Sequence, residues 1–325
     1  MRIFGQFALI LCLAASALAG AQSPPSEAAA GVLAAAREAL GGDKKLAAVR
    51  TVVATGRTRQ VRGENLVPIE FEIAIELPEK YLRKDEIPAQ ESEPTTSGFN
   101  GDELLQFPAP GPPAARAGGP TPPTADQLAA ARRARLAAVK QDFARLTLGM
   151  FASSFNGYPL TFSYAGKAEA PQGKADVLDV KGPAGPGGFA ARLFINADTH
   201  LPIMVTWQPP SPPRLPAASA GQGPAPPMRG GAPPGMPPSR GDAPPPSGSP
   251  AASASQAPAR ADAPPAGQPP PPESRLYFGE YREASGMQLP FRLRRAVGPD
   301  TVEETTFDGF KINAKIDPKK FEVRK

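Results

Sequence analysis

Few side chains in this sequence have the type and spacing to do chemistry. The only histidine, His200, sits in Asn196-Ala197-Asp198-Thr199-His200-Leu201-Pro202, a turn between two expected strands. It reads there as a surface turn residue rather than a general base. The only cysteine, Cys12, falls in the amino-terminal apolar run. One histidine and one cysteine cannot build a Cys/His zinc site or a conventional nucleophile–histidine–acid triad. Glu70, Glu72 and Glu76 recur on one side of a strand pattern. Alternation turns them to solvent and Arg57 opposes Glu70, so paired-carboxylate hydrolysis is not expected. Arg292 and Arg294 alternate with Phe291 and Leu293 as a plain in/out pattern. The nucleophile elbow, the phosphate-binding loop and the calcium loop have no match. The expectation is a non-enzymatic chain with no catalytic residue, no metal and no cofactor.

Composition narrows the classes further. Among 325 residues, 44 are proline and 32 glycine, and aromatics make up 7%; proline averages about 5% in ordinary chains. The net charge of +5 comes from 36 basic and 31 acidic residues. The two signs are interleaved, so no nucleic-acid footprint is expected. The run from Ile3 to Leu18 is too short for a comfortable membrane span, which takes ~20 apolar residues. Ala17-Leu18-Ala19 and Ala19-Gly20-Ala21 satisfy the small-x-small cleavage rule. Residues 1–21 therefore read as a signal peptide cleaved after Ala19 or Ala21. The product is expected to be exported, periplasmic or otherwise, with no transmembrane segment after signal removal. Residues 208–273 are almost wholly Pro, Ala, Gly and Ser, a composition that cannot offset its ordering entropy. They read as a disordered insertion, and a shorter Pro-rich loop covers 108–123.

The remaining sequence, 22–207 and 274–325, is expected to form one mainly β domain of α+β class. Glu64 to Leu77 alternates apolar and polar residues with the period of a half-buried strand. Arg50 to Arg62 is its expected hairpin partner, setting Val52, Ala54 and Gly56 opposite Ile75, Ile73 and Phe71, and Arg57 opposite Glu70. Short strands are also expected at Tyr81–Ile87, Thr95–Phe99, Glu103–Phe107, Leu160–Tyr164, Ala175–Val180, Ala190–Ile195 and Ile203–Trp207. Three more follow the insertion, at Arg275–Arg282, Leu289–Val297 and Val302–Phe310. Such a series indicates an antiparallel sheet that curls or closes. One helix is expected over Ser26–Leu40, stopped by Gly41-Gly42. A second starts at the capping box Thr124-Ala125-Asp126-Gln127 and runs to about Met150. Its apolar face is Leu136, Val139, Phe143, Leu146 and Met150, with Arg132, Arg133, Arg135, Lys140 and Arg145 on the remainder. It reads as a helix packed on the sheet, the alternative being a basic helix on an anionic membrane.

Several segments resemble the periplasmic lipoprotein-carrier group that includes LolA, LolB and the RseB-type regulators. They are AREALGGDKKLAAVRTVVATGRTR from Ala36, LPEKYLRKDE from Leu77, GFNGDELLQF from Gly98, ARLFINADTHLPIMVTW from Ala191, and the closing strands from Tyr277 to the Asn313–Phe321 ending. The resemblance implies a curved antiparallel sheet forming an incomplete barrel with covering helices. It also implies a hydrophobic cavity for a lipid or lipoprotein acyl chain. Mapped onto this chain, Val52, Ala54, Gly56, Phe71, Ile73 and Ile75 would line that cavity, with Phe143 and Leu146 as lid contacts. The alternative within the same group is an envelope interaction or stress-sensing module of the RseB type, with the Pro-rich tract contacting an envelope protein partner.

Overall fold

A computed structural model of the chain describes residues 25–88, 90, 92–109, 123–170, 173–184, 188–209 and 271–322. The signal segment 1–21 lies outside them, as do the two Pro-rich tracts apart from their end residues. The described residues other than Pro271 belong to one compact unit. Helix α1 (Pro25–Ala39) and the short α2 (Asp43–Ala48) precede strands β1 (Thr51–Arg62), β2 (Asn65–Glu76), β3 (Lys80–Glu86), β4 (Thr95–Asn100) and β5 (Glu103–Phe107). Helix α3 (Ala125–Phe151) leads to β6 (Thr161–Ala170), β7 (Gly173–Lys181), β8 (Ala190–Asn196) and β9 (Pro202–Trp207). Strands β10 (Ser274–Ala284), β11 (Met287–Val297) and β12 (Asp300–Ile312) follow, and a single 3-10 turn (Pro318–Phe321) ends the described chain.

All twelve strands form one sheet in the order β5-β4-β3-β2-β1-β12-β11-β10-β9-β8-β7-β6. Every pairing is antiparallel. Two meanders therefore meet where β12 returns beside β1, and β5 and β6 are left as unjoined edges, so the sheet does not close into a barrel. The expected hairpin register is the observed one: Val52, Ala54, Gly56 and Arg57 face Ile75, Ile73, Phe71 and Glu70. Apolar alternation and the Gly63 turn leave only one register that buries the apolar set.

Helix α3 packs against β4 and β5 as well as β9 and β11. In a flat sheet β4 and β9, seven intervals apart, would lie roughly 34 Å apart at ~4.8 Å per strand interval. Yet Phe143 and Arg145, only two residues apart on α3, meet Phe99 of β4 and Trp207 of β9 respectively. The sheet must therefore curl around α3, which occupies its concave side. The capping box forms as expected, with Thr124 Oγ1 accepting from Gln127 N–H at 3.2 Å and Gln127 Oε1 accepting from Thr124 N–H at 2.8 Å. The basic residues Arg132, Arg133 and Arg135 are exposed, whereas nearly every residue from Gln141 to Phe151 is buried. Packing on the sheet is thus the observed role of this half.

Arg145 departs from its expected place on the polar side. It is buried, stacked 4.2 Å from the Trp207 ring centre and 5.3 Å from Phe189. A helix enclosed by both arms of a curled sheet has no fully solvated side, and Arg145 keeps its charge by pairing with Asp142 at 2.9 Å. Burial lowers its pKa, against the opposing pull of Asp142. Helix α2 was not expected at all. Gly41 and Gly42 end α1 at φ 133° and 90°, but the chain restarts in one more helical turn before β1. A side chain at position 41 would meet the Gly286 carbonyl at 2.9 Å, so this junction is pressed against the β10–β11 turn.

The convex face carries a second, smaller core. Ala74, Leu105, Ile316 and Phe321 are buried together, with Val53 and Leu82 packed on them. Glu72 and Glu76 flank this patch rather than facing open solvent. Glu72 pairs with Lys320 and Glu76 with Lys80. The closing segment folds back to supply these contacts, something strand alternation does not encode. Asn313 anchors that return: its side-chain oxygen accepts from Arg50 N–H at 2.7 Å and its amide donates to Ala48 O at 3.2 Å.

Candidate functional site

The concave face changes character along its strands. Towards one end of β1 and β2 the inward residues are Val52, Ala54, Ile73 and Ile75, all buried and packed beneath the helices. Towards the other end the same alternation brings Thr58 and Gln60 inward on β1, Arg83 and Asp85 on β3, and Glu303 and Thr305 on β12. Here the helices leave space. A cavity of about 750 Å³ opens between α3 and the strands, within the ~300–1,000 Å³ usual for small-molecule sites.

Its wall is divided. Ile73, Leu146, Leu276, Leu293 and Phe307 form an apolar side. Beside them runs a connected polar set, with Arg83 paired across strands to Ile73 and Thr305 to Leu293. Arg83 donates from Nε to Asp85 at 2.7 Å and from Nη2 to Thr58 Oγ1 at 3.1 Å. The hydroxyls of Thr58 and Thr305 lie 2.9 Å apart, and Thr305 donates to Glu303 at 3.4 Å. With Arg83 supplying a proton to Thr58, the hydroxyl protons run in one direction, Thr58 to Thr305 to Glu303. Both threonines are buried, so this chain satisfies groups that would otherwise be costly. The Arg83 guanidinium also lies 4.8 Å from the Phe71 ring centre. Burial alone would lower its pKa, but Asp85 overcomes this and raises it. From β11 and α3, Arg295 donates to Asp142 at 3.3 Å.

The residues expected to line a cavity divide between these regions. Ile73 and Leu146 face the cavity. Val52, Ala54, Ile75, Phe71 and Phe143 lie in the packed core instead. Phe143 is held among Tyr81, Phe99 and Phe155 at ring-centre distances of 5.6, 5.3 and 6.2 Å. The room above Gly56 is taken by Phe71 and Phe307, whose rings meet edge-on at 5.4 Å. Phe143 and Leu146 approach the sheet from α3. The polar wall escaped the sequence reading, although the signal was present. Tyr81, Arg83 and Asp85 share one parity on β3 and pair with Ile75, Ile73 and Phe71, so charged groups had to stand on the apolar face.

His200 occupies an exposed turn at φ 57°, supported by the Asn196 side chain, which accepts from the Asp198 and Thr199 amides at 2.9 and 2.8 Å. Among the described residues no group of histidine, cysteine and carboxylate side chains could hold a metal, and no helix is long and apolar enough to cross a membrane.

Two tyrosines packed against α3 report on its seating. Burial raises the pKa of Tyr81, partly countered by Arg83, and raises that of Tyr281 well above its usual value. The Tyr281 hydroxyl lies 2.9 Å from both the Gly149 and Pro202 carbonyl oxygens, which only a protonated phenol can serve. Unfolded tyrosine loses its proton near pH ~10, whereas these two hold theirs to higher pH in the fold. Above that pH the unfolded state binds fewer protons. The tyrosine contribution is thus complete below pH ~10 and declines as pH rises, by about 1.4 kcal/mol per unit for each residue. Ultraviolet titration is expected to show both ionising only as the fold opens. Ionisation of all tyrosines near pH ~10 with the fold intact would contradict the burial described.

No family model matches the chain, and no curated protein matches it. Among solved structures it is similar to a DUF1329 family protein from Desulfovibrio piger ATCC 29098, at 8% identity over 92% of this chain and 98% of that one, with a TM-score of 0.42. It is similar to a LolA superfamily protein from Nitrosomonas europaea at 12% identity over 90% and 97%, with a TM-score of 0.45. A third likeness is to an outer membrane lipoprotein-sorting protein domain from Vibrio parahaemolyticus, at 8% identity over 90% and 97%, with a TM-score of 0.42.

Proposed function

We propose that this chain is an exported, non-enzymatic binding protein that holds the acyl chain of a lipid or lipoprotein on the concave side of its open sheet. The observation that carries the reading is the cavity of about 750 Å³ between α3 and the sheet, with an apolar side formed by Ile73, Leu146, Leu276, Leu293 and Phe307. An acyl chain laid against that side leaves water at a gain of ~0.8 kcal/mol per methylene. Binding by burial alone is reversible, as a carrier or a sensor requires. The amino-terminal segment supports export, since its length and small-residue ending fit a cleavable signal.

The test is solvent extraction of the purified protein, followed by mass spectrometry of the extract. Acyl lipid recovered at about one chain per protein supports the proposal. An extract free of acyl lipid, together with failure of the purified protein to take up added fatty acid, overturns it.

A further inference from the structure

The acyl-chain reading uses only half of the cavity wall. The polar half has its own pattern of met and unmet groups. Its carboxylates already have donors: Asp85 has Arg83, Asp142 has both Arg145 and Arg295, and Glu303 has the Thr305 hydroxyl. Its unmet groups can donate. Arg295 Nε is sealed from bulk solvent and has no hydrogen-bond partner among the described residues. Tyr81 is 6% exposed, lines the cavity, and finds no partner for its hydroxyl among the described residues. That hydroxyl lies within electrostatic reach of Arg83, Asp142, Asp85 and Arg295, so it sits inside the charged cluster rather than in the apolar wall.

A buried polar group without a partner costs about 1–3 kcal/mol. Arg295 Nε bears such a cost, which a ligand oxygen can remove. The charged residues that line the cavity, Arg62, Arg83 and Arg295 against Asp85, Glu93, Asp142 and Glu303, leave no positive excess. What the site offers is therefore directed N–H and O–H groups more than a net field. Guanidinium forks match planar or tetrahedral oxygen acceptors, and bonds of that kind to charged oxygens are the strong ones.

We propose that the ligand carries an oxygen-accepting anionic head group, a carboxylate or a phosphate ester, received by Tyr81, Arg83 and Arg295 while its chain lies on the apolar wall. This rests on the acyl-chain reading above and adds to it the class of head group and its direction: the head enters the cavity and is not left in solvent. Tyr81 supplies a hydroxyl that no other described residue bonds. Arg295 supplies Nε–H, and Arg83 holds the opposite side through its fixed bonds to Asp85 and Thr58.

The test uses calorimetric titration of the purified full chain with three sixteen-carbon ligands kept below micelle formation: palmitate, hexadecyl phosphate and hexadecyltrimethylammonium. The first two are expected to bind on the order of 10-fold or more tighter than the third, and the tighter of the two identifies the source of the head group. Tyr81→Phe keeps the ring packing and should melt like the parent, yet lose on the order of 10-fold for palmitate. Arg295→Lys keeps the charge but not the guanidinium fork, and should narrow the gap between palmitate and the ammonium ligand. Three ligands of equal affinity, unaffected by either variant, would overturn the head-group site and leave the acyl-chain reading standing. Failure of all three to bind would remove the acyl-chain reading and this inference with it.

Discussion

Phe143→Ala is expected to destabilise the fold by about 3–5 kcal/mol, the range for a large aromatic deleted from a closed core. Phe143 is 1% exposed and stands where α3 meets the sheet. It touches Tyr81 and Phe99 from β3 and β4, and Phe155 from the segment after the helix. Three rings anchored on separate elements cannot all move in to fill the space it leaves. The loss should appear in urea as a lower midpoint with an unchanged slope, the sign of altered stability rather than an altered denatured state. A cost below about 1 kcal/mol would mean that α3 is not clamped at this point, and the division between packed core and open cavity would lose its basis.

Gly56→Ala is expected to cost about 3 kcal/mol, at the upper end for an overpacked site. The added methyl would lie 2.2 Å from the Thr306 carbonyl oxygen, 2.8 Å from the Phe71 ring and 2.9 Å from Phe307 Cα. Two of these are backbone atoms, which no rotamer change can move aside. The position also marks a register shift between β1 and β12, where an extra residue bends the strand and glycine permits close approach. The two meanders join here, so strain would spread through the seam between them. Gly31→Ala is the contrasting case. Nothing lies within 4 Å of its added carbon, and the gain in helix propensity should stabilise α1 by about 1 kcal/mol. Paired thermal melts of the two variants should move in opposite directions.

These two sites show what the sequence conveys and where it stops. Period-two alternation in β1 and β2, with the Gly63 turn between them, fixes pairing residue by residue, because only one register buries the apolar set. The capping box at Thr124 and Gln127 is equally local, and it forms as expected. The order of the strands is less visible. That β12 lies beside β1 depends on a contact between the two ends of the domain, across α3 and the whole second meander. The convex patch under Phe321 and the burial of Arg145 have the same origin, since both require distant segments to be in place.

Of the residues expected to line a cavity, Ile73 and Leu146 stand at the opening between α3 and the sheet, and most of the others lie in the packed core. Val52, Ala54 and Ile75 are the most apolar inward positions, and for that reason the helices cover them. The space that remains lies where the inward residues turn polar, at Thr58, Arg83, Thr305 and Arg295. A search for apolar lining passes over such positions. Charged residues at core parity on β3 were the available signal, because a strand that buries Tyr81 must also turn Arg83 inward.

The central claim is that one acyl chain occupies the cavity bounded by Leu146 and Leu293. Native mass spectrometry of the purified full chain, titrated with palmitate, tests it most directly when run beside Leu293→Trp, a variant whose larger side chain projects into that space. The account predicts a saturable complex of one palmitate per chain in the parent. In the variant that complex should be lost or weakened at least ~10-fold, with the fold retained by circular dichroism. Equal palmitate binding by parent and variant, or adducts that grow without saturation, would contradict it.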